Sequence, residues 1–156
     1  FFFNYNLPEG RGDYKYVKIN KKKIHLIDES YNSNPLSLKF ALDNFHRLKS
    51  QSKSKIILLG DMLELGKFSK KLHLDAAKIV NNTNINKVYV FGKKIIYTFN
   101  KIRPQKRGKI LYSNKDVSNF LNYEIKNGEY LMIKGSNSTG LNNITNKLKS
   151  GKINAI

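Results

Sequence analysis

At 156 residues the chain can bury a two- or three-layer core, and with no cysteine it holds no disulfide framework, thiolate zinc site or thiol nucleophile. The 40% apolar share, with 9 Tyr and 9 Phe, excludes a disordered chain; there is no bilayer-length apolar run and no signal-peptide pattern. The net charge of +18 invites a basic nucleic-acid-binding α/β module, but the charge is nearly all Lys, scattered through almost every segment beside abundant Asn and Ile.

Residues 1 to 13 read as irregular, with Pro8 and the Gly10-Arg11-Gly12 triplet, in which two glycines let the backbone approach a ligand closely. The chain opens Phe1-Phe2-Phe3 without a Met, so it is expected to come from a longer polypeptide. Tyr14 to Ile19, the turn Asn20 to Lys23 and the strand Ile24 to Asp28 form a predicted hairpin. The stretch Asp28-Glu29-Ser30-Tyr31-Asn32-Ser33-Asn34-Pro35 then leads into apolar residues Leu38, Ala41, Leu42, Phe45 and Leu48 at helical spacing. Asn34 is the expected N-cap and Pro35 the first helical residue, where a missing N–H costs nothing.

Lys55 to Gly60 is a short, wholly apolar run after its lysine, as expected of a central strand covered on both faces. The loop Gly60 to Gly66 follows, and Ser69 is the expected cap of a helix carrying Leu72, Ala76, Ile79 and Val80. Lys87 to Gly92 reads as a strand, then a short helix over Ile95, Ile96 and Phe99, broken at Arg103-Pro104. A strand at Lys109 to Tyr112, a helix capped by Ser113 or Asn114 over Val117, Phe120, Leu121 and Ile125, and a turn at Asn127-Gly128 come next. Glu129 to Lys134 is the last strand, Gly135 to Gly140 its loop, and Leu141, Ile144 and Leu148 mark a final helix with Gly151 past its end. Strands alternating with helices at this spacing predict an α/β, three-layer Rossmann-like domain: a mostly parallel sheet of about six strands with an antiparallel edge hairpin.

If the strands are parallel, the loops 28–34, 60–66 and 135–140 share one edge, where polar ligands bind in open sheets. Neither the second nor the third of these is a standard phosphate-binding loop. Five residues, not four, separate Gly60 from Gly66, Phe68 replaces the Mg²⁺-binding hydroxyl, and Asn137 replaces the second glycine of GxGxxG. The histidines His25, His46 and His73 lie far apart without ligand spacing, so no metal site is expected. Arg, the residue of bidentate phosphate contacts, stands only at positions 11, 47, 103 and 107.

The ordered set Gly10-Arg11-Gly12, Asp28 to Pro35 with Ser37, Gly60 to Gly66 with His73, and Lys134-Gly135-Ser136 with Ser138 resembles the C-terminal domain of a Mur ligase. Within that family it is most similar to the branch that adds D-Ala-D-Ala to a UDP-MurNAc-tripeptide. The resemblance implies residues 1–13 as the end of an interdomain linker, residues 14–156 as the domain, and absent N-terminal UDP-binding and central ATPase domains. It implies a cytoplasmic enzyme of peptidoglycan synthesis that uses ATP with Mg²⁺, the metal ligands lying in the central domain, and that binds neither membrane nor nucleic acid. By the same resemblance Asp28, Asn32, Asn34 and Arg11 bind ATP, Arg11 also acting in catalysis, while Lys134, Ser136 and Ser138 meet the substrate. Asn137 stands where the family usually has Arg, and Ser33 where it usually has Ala.

Overall fold

A two-residue turn at Asn20 and Lys21 joins strand β1 (Asp13–Ile19) to β2 (Lys22–Glu29) in the computed structural model, which describes residues 12–152. Asn20 adopts φ 54°, a left-handed conformation that its short polar side chain tolerates. Pairing therefore continues to Ile19–Lys22, and Lys22 and Lys23 belong to the strand rather than to the longer turn the sequence suggests. Asp13 also joins the sheet, one residue earlier than predicted, as the register partner of Asp28.

The remaining elements are α1 (Pro35–Arg47), β3 (Lys55–Gly60), α2 (Ser69–Asn81), β4 (Lys87–Phe91), α3 (Ile95–Phe99), β5 (Arg107–Leu111), α4 (Asn114–Asn119), β6 (Tyr130–Lys134) and α5 (Leu141–Lys149). The strand order is β1-β2-β6-β3-β4-β5, parallel throughout except for β1 with β2. This is the three-layer α/β sheet expected from the sequence. On one face Leu26, Leu58 and Ile133 pack with α4 and α5; on the other Ile57, Val90 and Met132 pack with α1, α2 and α3. β3, covered on both sides, is buried at all six positions.

Local chemistry sets the helix ends. Asn34 and Ser37 form a reciprocal capping box: Ser37 N–H donates to Asn34 Oδ1 (2.8 Å), and Asn34 N–H to Ser37 Oγ (2.9 Å). At the far end of α1 the buried Lys55 donates to the carbonyls of Phe45 (2.6 Å) and His46 (2.9 Å), filling orphan acceptors of the last turn. Ser69 is not a cap: a 3₁₀ turn at Gly66–Phe68 runs directly into α2, so Ser69 is already helical. Ser113 is the cap of α4, accepting from the Asp116 N–H at 3.2 Å. That helix ends in a wider π turn, in which Ile125 N–H reaches back to Phe120 O, rather than continuing as one α-helix. β5 begins at Arg107, two residues before its predicted start; Gly108 interrupts the apolar pattern but is required there, since a Cβ would lie 2.7 Å from the Tyr89 ring.

The strand order fixes where a ligand can enter. The segments after β2 and β3 lead to α1 and α2 on one face, whereas the segment after β6, which lies between those strands, leads to α5 on the other. The connections diverge at the carboxyl end of β6 and leave a crevice there. Gly60 and Gly135 face each other at its base, where a Cβ on Gly135 would lie 2.8 Å from Leu141 Cδ1 and 3.3 Å from the Gly60 backbone. Gly135→Ala is expected to lower unfolding free energy by about 1–3 kcal/mol through overpacking. Chemical denaturation should show the midpoint falling with an unchanged slope.

Candidate functional site

Lys134, the last residue of β6, is the centre of the crevice. Its side chain is 1% exposed; the ammonium donates to the Asn32 carbonyl (2.6 Å) and lies 3.6 Å from Glu29 Oε2. Two residues on, Ser136 Oγ donates to the Ser33 carbonyl (3.2 Å) and accepts from the Leu63 N–H (3.0 Å), and its own N–H donates to Asp61 O (3.2 Å). Lys134 and Ser136 thereby tie the loops after β2, β3 and β6 into one rim. The convergence expected from a parallel sheet is thus present, and hydrogen bonds hold it.

The two carboxylates at the end of β2 have different fates, because successive strand residues point to opposite faces. Asp28 follows Ile24 and Leu26 inward toward α5 and is fully buried. Its Oδ1 accepts from Ser30 N–H (3.0 Å) and Ser30 Oγ (2.5 Å), while Oδ2 pairs with Lys149. Glu29 turns the other way, toward Lys134, with a partly exposed side chain. It borders a cavity of about 640 Å³ between the β1–β2 hairpin and α1, floored by Ile27, Ala41, Phe45 and Met132. Burial raises the Glu29 pKa, and Asp28 and Asp13 add to the rise against the opposing pull of Lys134. Burial likewise lowers that of Lys134, only partly offset by Glu29. Burial thus works against both charges, and their mutual attraction offsets part of that cost.

The other residues singled out from sequence divide into framework and surface. Asn34 spends its side-chain oxygen on the α1 cap. Asn32 is exposed on the rim, with its backbone carbonyl taken by Lys134. Asn137 and Ser138 are exposed in a 3₁₀ turn between Ser136 and α5. Arg11 lies outside the described residues; Gly12, next to it, donates its N–H to the Asp28 carbonyl at 2.6 Å. Among the described residues no group of three or more His, Cys, Asp or Glu could hold a metal ion, and no helix is long and apolar enough to cross a membrane.

No individual role follows from the sequence alone for Asp61, Gly92, Glu29 or Lys149. Asp61 Oδ1 accepts from the N–H groups of Lys94 (3.0 Å) and Ile95 (2.8 Å), tying the β3 loop to the start of α3. Gly92 makes room for that carboxylate, since at φ 139° a Cβ there would lie 2.5 Å from Asp61 Oδ1. Glu29 is legible from strand phase: counting in twos from Leu26 puts Asp28 on the same face and Glu29 on the other. Lys149, distant in sequence, carries no local signal. His73, singled out only as part of the ordered set, proves to be a loop anchor: Nε2 accepts from Met62 N–H (3.1 Å), so the ring proton sits on Nδ1 and is donated to Ser69 O (2.7 Å).

Residues 15–137 match the family model for the Mur ligase glutamate ligase domain. A UDP-N-acetylmuramoyl-tripeptide–D-alanyl-D-alanine ligase of Rickettsia prowazekii is 30% identical over 139 residues, covering 88% of this chain and 29% of that protein. The like-named ligase of Buchnera aphidicola from Acyrthosiphon pisum is 32% identical over 128 residues, 79% of this chain and 26% of that protein. The chain thus spans less than a third of these relatives. The crystal structure of MurF ligase from Thermotoga maritima in complex with ADP shares the fold, with a TM-score of 0.70 at 20% identity over 94% of this chain and 32% of that one.

His73→Ala is expected to strand the buried Met62 N–H and open a cavity, at a cost of about 2–4 kcal/mol. Hydrogen exchange should show the Met62 amide losing protection more than the amides of β3. Equal protection in both proteins would count against the anchoring role.

Proposed function

The chain belongs to the Mur ligase family, as its glutamate ligase domain, and on that premise we propose that it forms one wall of an ATP-dependent ligase joining D-Ala-D-Ala to a UDP-MurNAc-tripeptide. Seven relatives carrying that ligase name support the reading. The observation that carries it is the stitched rim, where the motifs from three loops meet at the one place where the sheet's connections diverge. The reaction belongs to the cytoplasmic stage of peptidoglycan precursor synthesis, and the nucleotide-binding and UDP-binding domains are this wall's partners.

The chemistry runs in two steps. The tripeptide's terminal carboxylate attacks the γ-phosphorus of ATP, releasing ADP and forming an acyl phosphate. The D-Ala-D-Ala amine then adds to the acyl carbon; phosphate leaves, the nitrogen loses a proton, and an amide remains. Mg²⁺, held by the central domain, supplies charge neutralisation for the phosphates. This domain's residues bind and orient.

On the nucleotide side, Glu29 takes the role that the sequence assigned to Asp28. A carboxylate that accepts from ribose hydroxyls must border open space, and Glu29 does so while Asp28 is enclosed by Ser30 and Lys149. Asn32 lies beside it on the rim. Arg11 neutralises phosphoryl charge during transfer, using a guanidinium that stays protonated and forks onto two oxygens. Lys134 and Ser136 serve the substrate side by shaping the rim, and the exposed Ser138 and Asn137 offer the polar groups that meet the peptide. Asn137 provides no fixed charge for a carboxylate, so that recognition is by neutral hydrogen bonds.

In the ligase that contains this domain, Glu29→Ala should raise KM for ATP about 10- to 100-fold, the loss of a hydrogen bond to a charged group. Arg11→Ala should lower kcat about 10²- to 10³-fold, as for removal of one charge-stabilising donor. Phosphate release with tripeptide and D-Ala-D-Ala present measures both, with circular dichroism confirming that each variant folds. Wild-type rates in both variants would defeat the reading.

A further inference from the structure

One face of α5 grips the back of the rim. Thr145 and Lys149, four residues apart and therefore stacked on one side of the helix, reach Ser30 (Oγ to Oγ1, 3.0 Å) and Asp28 respectively. The same Lys149 ammonium also pairs with Asp13 Oδ2 at 2.6 Å. Asp13 and Asp28 are register partners on adjacent antiparallel strands. Two carboxylates directly opposite in a sheet repel, and here one of them is fully buried. Lys149 is the counter-ion they share. Burial alone would push its pKa down; the hydrogen bonds to Asp13 and Asp28 outweigh burial and lift it above lysine's usual value, so it stays charged at neutral pH.

We propose that Lys149 is a positioning residue of the nucleotide rim: by neutralising Asp13 and Asp28 together it holds the start of β1, and with it the Gly12 and Tyr14 wall of the cavity that Glu29 borders. The inference rests on the reading of Glu29 as the nucleotide-facing carboxylate. Three contacts give it content. Gly12 N–H donates to the Asp28 carbonyl, Ser30 N–H to the Asp28 carboxylate, and Lys149 closes the unit from behind. Losing the ammonium removes the cation that both carboxylates share, and their repulsion then strains the Asp13–Asp28 register. Gly12 and Tyr14 then lose their fixed place in the cavity wall, while the pairing of β2 with β6 keeps the direction of Glu29 itself.

Three variants test this: Lys149→Met, which keeps length and removes charge; Lys149→Arg, which keeps charge; and Asp28→Asn with Lys149→Met, which removes the repulsion and the buried charge along with the counter-ion. In the 156-residue chain, Lys149→Met should speed hydrogen exchange of the Gly12 and Ser30 amides about tenfold or more, with β3 amides unchanged. In the ligase containing the domain, it should raise KM for ATP about tenfold while kcat changes less than twofold. Lys149→Arg should behave as wild type, and the double variant should recover most of the exchange protection and the KM. Unchanged exchange, faster exchange with an unchanged KM, or a loss that the double variant does not rescue would each overturn the proposal. If Lys149→Met does not fold, the double variant decides: folding with near-wild-type KM supports the clasp, and failure to fold overturns it. A wild-type ligase that releases no phosphate with these substrates would defeat the functional reading instead, and the exchange measurements would still decide whether the clasp exists.

Discussion

Burying a lysine in a crevice costs solvation that only good partners can offset, and Lys134 finds them at the end of β2 and in the loop that follows it. Its strand lies between β2 and β3 but continues to a helix on the opposite face, so the neighbouring connections diverge from it. The ammonium fills that gap. It donates to the Asn32 carbonyl and faces Glu29, and Ser136 extends the same bracing to Ser33, Leu63 and Asp61. A site assembled in this way is rigid before any ligand arrives, which lowers the ordering cost of binding. The same commitment limits what these side chains can do. Lys134 and Ser136 hold the wall in shape, with their polar atoms already engaged by backbone groups.

The net charge of +18 takes on a different meaning once the lysines are placed. Lys55 donates to the carbonyls that end α1, Lys106 to the carbonyls of Thr83 and Ile85, and Lys22 to those of Asn122 and Ile125. Each satisfies backbone acceptors that helix ends and turns leave open. A lysine can do this because its four-carbon stem packs along apolar surface while three donors turn at its tip. Part of the basic composition is therefore structural. The charge that remains exposed favours any anionic ligand near the rim without specifying one.

The layered fold was legible because the signals were local. The apolar run of β3, the Asn34-Pro35 start of α1 and the polar stretches at the ends of the strands each followed from a few neighbouring letters. The errors fell where two elements compete for the same residues. Ser69 reads as a cap until the preceding 3₁₀ turn absorbs it, and Gly108 reads as a break until the Tyr89 ring shows why a side chain cannot stand there. The site was legible as an edge but not as an arrangement of side chains. Motif letters cannot tell which of two adjacent carboxylates faces the crevice; strand phase can, and Ile24 and Leu26 already set it.

What sequence could not supply is the coupling across distance. Lys149 stands far along the chain from both Asp13 and Asp28, and nothing near it marks it as different from other helix-end lysines. Its importance comes from the register of β1 on β2, which brings two like charges face to face at the point where the chain enters the sheet. A sheet edge normally avoids such a pairing. Here it persists because α5 brings a cation to both carboxylates at once, and that ion pair offsets the cost of burying Asp28. The crevice is thus braced from two sides, by Lys134 within it and by Lys149 behind it, and Glu29 lies between the two as the carboxylate left facing outward.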